Sequence, residues 1–307
     1  MNTKQTLWKQ WQLAVKITVV VVIAILLYFK FRNEQDLFRQ MLALVKQSIS
    51  QNWLLYLVVL LLMPVNWGLE SLKWYWLVRG AYSITISQAV RGVLAGLTLG
   101  FATPHALGDY VGRIYSLHTH DRKPLIGSVF LSRASQMLAT MLFGCYGLYY
   151  LIGSDFLLAY GTESMAMVLV MVIFTWLTVK YFNPLKAYLT LLNTYSIPVY
   201  LGVVGMAILR YVVFSIQFVL VLHIYMPSMS LITNAAGVTF IFLAKSILPT
   251  LNFLSDLGVR EYSAIYFFEK SGEPLVPVLC ASLTIWVINI LMPTIIGMPA
   301  MFKLKYQ

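Results

Sequence analysis

Charge is scarce in this sequence. Asp, Glu, Lys and Arg make up 11% of 307 residues, where a soluble domain would carry about a quarter. Apolar stretches cover almost the whole length, which leaves no room for a large soluble domain. Cysteine is scarcer still. Cys145 and Cys280 both fall inside apolar stretches, so they suggest neither a disulfide framework nor a zinc site and read as buried packing residues. His105, His118 and His120 belong to no HExxH or other zinc pattern. A P-loop for ATP and the GxSxG elbow of a serine hydrolase are also missing. No metal, no cofactor and no catalytic residue is therefore expected.

What remains is hydrophobic: 60% of the residues, with a mean hydropathy of +0.77. The expectation is a polytopic, all-α membrane protein. A net charge of +11 could indicate nucleic acid, but the Lys and Arg residues sit at the ends of apolar runs, where they set orientation and meet anionic headgroups. The N-terminal run from Ile17 to Phe29 follows Lys4, Lys9 and Lys16 without a small-residue cleavage site, so it reads as an uncleaved first span.

Hydropathy predicts six spans, at about 14–31, 53–78, 125–152, 160–182, 198–224 and 275–302, each long enough for a ~30 Å hydrocarbon core. Two further stretches, about 84–117 and 231–270, are broken by Pro, Gly and charge: LGFATPHALGDYVGR and KSILPTLNFLSDLGVRE. Broken backbone survives at membrane depth only when buried in protein or lining a wet cavity. Both are read as re-entrant hairpins, with Pro104, Gly108, Pro249 and Gly258 at their turns. Lys and Arg cluster near 79–92, 113–123 and 180–186 but are missing near 153–162 and 225–230. The positive-inside rule then puts both termini in the cytoplasm and the 153–162 loop outside an inner (cytoplasmic) membrane. Residues 31–51 carry apolar residues at a 3.6-residue period (Leu37, Phe38, Met41, Leu42, Val45, Ile49) and read as an amphipathic helix on the outer surface.

The order span, span, hairpin, span occurs twice, which predicts an inverted repeat of residues 1–153 and 154–307. Trp53 and Pro198 stand 145 positions apart, as do Pro104 and Pro249, while Asp109 and Asp256 stand 147 apart. Inverted repeats with broken helices at their interface are built around midplane binding sites in transporters.

The two hairpins carry one charged couplet each, Asp109 with Arg113 and Asp256 with Arg260. At i,i+4 the members share a helix face and can pair. Charge at this depth costs about 2.5–3.5 kcal/mol per residue on insertion scales, so two readings stand: a self-neutralising clamp, or a clamp that also contacts substrate. Glu70, Arg133, Arg210, Lys245 and Glu261 also lie in apolar stretches. Arg133 and Arg210 have no acid three or four residues away. An anionic ligand such as a lipid phosphate would suit their planar forks; snorkelling to headgroups is the alternative, above all for Arg133. The half-helix N-termini after 104–109 and 249–256 favour anions as well, with Thr103, Thr250 and Asn252 as further donors. Gly92, Gly96 and Gly100 repeat every four residues and mark a close-packing helix face.

The segments TPHALGDYVGR (Thr103 to Arg113) and LPTLNFLSDLGVRE (Leu248 to Glu261) resemble the transmembrane domain of the lysylphosphatidylglycerol synthase family, a flippase-like family. Pro104, Gly108 and Arg113 match its first motif, in which Asp109 replaces the usual Glu; Pro249, Gly258 and Glu261 match its second. The resemblance implies a stand-alone membrane domain, without the soluble synthase domain, that moves a lipid or polyprenyl phosphate between leaflets. The expected site is Asp109, Arg113, Arg210, Asp256, Arg260 and Glu261 around a central cavity, with an anionic lipid headgroup as partner. A membrane enzyme acting on lipid-linked substrates and a non-transporting scaffold are the competing classes. The scaffold predicts a closed, dry interface between the hairpins.

Overall fold

The computed structural model describes residues 35–103, 106–117, 122–153, 192–247 and 253–302. The expected spans at 14–31 and 160–182 lie outside them, as do Pro104, His105, Pro249, Thr250, Asn252 and the side chain of Asp256. Every described regular element is helical. The chain forms two compact units, Met1–Gln47 and Ser48–Gln307. Helix α1 (Gln35–Gln51) covers the expected amphipathic stretch.

Within the second unit, three long helices match three expected spans: α2 (Trp53–Val78), α5 (Lys123–Ile152) and α6 (Ile197–Tyr225). The fourth is composite. Helix α9 (Leu275–Trp286) passes through a π-helical turn (Val287–Leu291) into α10 (Met292–Phe302). By length and composition these four can cross a membrane. Their outer faces expose Leu54, Leu61, Leu142, Leu201, Ile295 and Ile296, side chains that a hydrocarbon solvent accepts without cost. Cys145 is on such a face and is exposed, while Cys280 is buried. The packing role therefore holds for Cys280 alone; hydropathy does not tell a lipid-facing position from a core one.

Helices α3 (Ile86–Ala102) and α4 (Gly108–Tyr115) form the first hairpin. Thr85 starts α3 with a reciprocal capping box to Gln88, which satisfies backbone N–H groups that a helix start leaves free. The arms run antiparallel along a glycine seam. A Cβ on Gly112 would come within 2.2 Å of the Gly96 nitrogen, and one on Gly108 within 2.3 Å of the Leu99 carbonyl. Gly108 thus serves backbone contact rather than turn conformation. Between the arms, the Gly108 N–H donates to Thr103 Oγ1 (2.7 Å), while the Thr103 hydroxyl donates back to the Leu99 carbonyl of α3 (3.0 Å). The first N–H of α4 is therefore already taken, contrary to its expected freedom to bind an anion.

Helices α7 (Leu231–Ile247) and α8 (Phe253–Glu269) form the second hairpin, where Gly237 meets Phe267 and Phe268. Gly258 is not at its turn. It lies in the second turn of α8, is exposed, and has open space around its α-carbon.

Helix α5 packs against α7, and α10 against α3. Gly144 and Gly147 of α5 admit Leu243 and Phe240 of α7, and Gly297 of α10 admits Leu94 of α3. Helices α2 and α6 pack on one another, joined by Gln217 Nε2 donating to the Val59 carbonyl (2.6 Å) and Tyr56 donating to Tyr225 (2.7 Å). Trp74 and Leu77 of α2, Val93 of α3, Ile114 of α4, Val129 of α5 and Val203 of α6 close one apolar core beside the site.

Candidate functional site

Glu70 and Lys73 sit one turn apart on α2, facing inward with side chains 4% and 1% exposed. Their ion pair is 2.8 Å long. A buried carboxylate needs more than one partner, and Glu70 has several. Arg113 of α4 reaches its Oε1 at 2.8 Å, Arg210 of α6 its Oε2 at 3.2 Å, and the Ser132 hydroxyl of α5 donates to Oε1 at 3.2 Å. Lys73 also donates to the Ser132 carbonyl at 3.1 Å. Four helices converge on one side chain.

Asp109, on the first turn of α4, organises the neighbouring layer. The Arg113 Nε donates to its Oδ1 at 2.7 Å, the expected i,i+4 pair. Arg133 of α5 holds Oδ2 through Nε (3.2 Å) and an Nη (2.9 Å), and that Nη also donates to the Ala106 carbonyl at 3.1 Å. Ala106 has φ 50°, a left-handed conformation that costs a side chain about 1–2 kcal/mol. The Arg133 fork therefore fastens the hairpin tip. Each guanidinium also lies over an aromatic ring: Arg113 by Trp74 (5.8 Å), Arg133 by Tyr110 (5.2 Å) and Arg210 by Trp67 (5.0 Å). Such stacking favours Arg over Lys at these positions.

These groups wall a cavity of about 590 Å³, within the range of small-molecule sites. Among the described residues, five cations line it (Lys73, Arg113, Arg133, Arg210 and Lys245) against two acids, Glu70 and Asp109. Asn289 of the π-helical turn also lines it. It is held by Asn66 (3.1 Å) and by Gln217, while its carbonyl accepts from the Trp67 indole (3.0 Å). The π-helical turn thus delivers a polar side chain into a span that reads as plain apolar helix.

Asp109, Arg113 and Arg210, expected as site residues, come together here. Arg260 and Glu261 do not line this cavity. They form a buried cluster of their own with Ser282: Arg260 donates to Glu261 (3.0 Å) and to the Ser282 hydroxyl (3.1 Å), which donates to Glu261 (3.1 Å). Arg133 and Arg210, which have no acid three or four residues away in sequence, each have one in space. Asp109 and Glu70 reach them from other helices, a relation that i±3 and i±4 spacing cannot register. Lys73 and Asn289 were missed. The signal for Lys73 was its i,i+3 spacing from Glu70 inside an apolar run.

The family described as the lysylphosphatidylglycerol synthase transmembrane region matches residues 13–297. The chain belongs to this family. It is accordingly a membrane protein of a lipid-handling family, with several apolar helices to span a bilayer. No curated protein and no solved structure matches it.

Proposed function

We propose that this member of the family translocates a lipid with an anionic headgroup, a phospholipid or a polyprenyl phosphate, between the leaflets of the inner membrane. The observation that carries the reading is the excess of cations around the cavity. Glu70 and Asp109 are both ion-paired to protein cations, and at this wall the buried Arg113 Nη1, Arg210 Nε and Glu70 Oε2 make no hydrogen bond of regular geometry among the described residues. A buried donor without an acceptor is costly, and a phosphate oxygen supplies the acceptor. Adding the Asp256 carboxylate to this wall would still leave the cations in excess.

The layout supports a re-entrant reading of the hairpins. Helix α3 has 17 residues and α4 has eight, so at 1.5 Å per residue the arms reach about 25 Å and 12 Å, short of the ~30 Å core. The reciprocal packing of α5 on α7 and α10 on α3 supports the inverted repeat of residues 1–153 and 154–307, and with it a central site reached from either side. In this reading the chain makes and breaks no covalent bond, and its termini face the cytoplasm. A scaffold with a dry, closed centre accounts less well for a 590 Å³ charged cavity.

Native mass spectrometry of gently purified protein tests the reading. Anionic lipids are expected to stay bound to the wild type and to be lost from Arg113→Gln/Arg210→Gln. Retention of zwitterionic lipids instead, or equal retention by the variant, would contradict it.

A further inference from the structure

The wall of the cavity raises a problem of its own. Among the described residues, the Arg113 and Arg210 head groups already touch a carboxylate, that of Glu70, at 2.8 and 3.2 Å. A lipid phosphate that bound both would have to take them from it. We propose that Glu70 is a resident counter-anion that holds Arg113 and Arg210 in the empty site and yields them to the phosphate of the incoming headgroup. The proposal rests on the translocation reading above.

Three features make Glu70 the group that exchanges. Its third cation, Lys73, belongs to the same helix, so that pair travels with α2 whatever the other helices do. Arg113 and Arg210 come from α4 and α6 and are the separable partners. Lys73, on the same helix, remains within reach of the carboxylate during the exchange, so Glu70 is not left as a bare buried charge, which would cost several kcal/mol. Asp109 is less suited to the role. Its bonds to Arg113 Nε and to the Arg133 fork hold the hairpin tip together, and releasing them would free a strained turn.

Without a resident anion, Lys73, Arg113, Arg133, Arg210 and Lys245 would face each other across the site, with Asp109 as the remaining acid among the described residues. With one, the donors wait in a cluster of carboxylate dimensions, the geometry that a bidentate phosphate also uses. An internal competitor lowers apparent affinity by the fraction of time the donors are free. For a translocator this favours release, because the carboxylate re-enters as the phosphate leaves.

The test uses the full chain in detergent, with dihexanoyl phosphatidylglycerol and, separately, inorganic phosphate as probes. Glu70→Gln is expected to bind on the order of tenfold tighter than wild type. Its thermal stability should be lower without probe and return to the wild-type value at saturation. Glu70→Asp keeps the charge on a shorter arm and should bind with intermediate affinity. Tightening toward the lipid assigns the displaced anion to a headgroup; tightening toward inorganic phosphate alone supports the counter-anion but removes the lipid. Unchanged or weaker binding by a folded Glu70→Gln, with the wild type binding normally, would overturn the counter-anion role and leave translocation standing. If Glu70→Gln does not fold, Glu70→Asp decides, and affinity no higher than wild type overturns the proposal. Binding of neither probe by the wild type would overturn both readings.

Discussion

Asp109 takes two guanidinium groups on one carboxylate, Arg113 on Oδ1 and Arg133 on Oδ2. Removing that acid leaves the buried Arg113 with one carboxylate, Glu70, and the Arg133 side chain, 37% exposed, with the Ala106 carbonyl; losing buried hydrogen bonds to a charged group costs about 1–3 kcal/mol. Asp109→Asn is therefore expected to lower the melting temperature sharply, and Asp109→Asn/Arg113→Gln to recover much of it while failing to exchange lipid. A double variant that is stable and exchanges lipid at the wild-type rate would reduce Asp109–Arg113 to a clamp. Arg210→Ala should behave differently, because Glu70 keeps Lys73 and Arg113 without it. We expect a folded, membrane-inserted protein with lost exchange; full activity would return Arg210 to a packing role.

Among the helices, two glycines separate close packing from open space. Gly112 abuts the Gly96 backbone, so a methyl group there would meet main chain at 2.2 Å. Gly112→Ala should cost about 1–3 kcal/mol, as overpacking does. Gly258 lies inside α8 with nothing nearby, and Gly258→Ala should stabilise by about 0.5–1 kcal/mol, the usual gain within a helix. Thermal unfolding of the two variants checks both signs, and a destabilised Gly258→Ala would mean that α8 has a partner at that face. The contrast also shows which features were legible in advance. Segment breaks, three whole spans, the i,i+4 pair of Asp109 with Arg113 and the Gly92–Gly96–Gly100 seam are local patterns, and the helices follow them. The partners of Arg133 and Arg210 were not legible, because Asp109 and Glu70 reach them across helices from 24 and 140 positions away. Nor was the π-helical turn at Asn289, since its sequence, VINIL, is ordinary helical sequence apart from one amide.

For the whole molecule, the orientation expected from Lys and Arg has a direct consequence. If the α3–α4 hairpin is re-entrant, single cysteines at Tyr82 and Arg122, introduced into a chain with Cys145 and Cys280 replaced, should both label from the cytoplasmic side. Those at Ser228 and Gly272, flanking the second hairpin, should both label from the outside. Labelling of Tyr82→Cys and Arg122→Cys from opposite faces would mean that α3 and α4 cross as one broken span, and the inverted repeat would fail with them.

The central claim is that an anionic headgroup passes through the cavity between α2, α4, α5 and α6. Leaflet exchange in proteoliposomes tests it most directly, with fluorescent phosphatidylglycerol in both leaflets and a quencher that cannot cross the membrane. The account predicts that wild-type protein lets quenching run past the outer-leaflet pool. It also predicts that a lysyl-esterified analogue, whose ammonium groups find Glu70 and Asp109 already occupied, exchanges more slowly. Arg113→Gln/Arg210→Gln protein should stop at the outer-leaflet pool for both lipids. Quenching confined to the outer leaflet in the wild type, or unaltered exchange in that variant, would contradict the account.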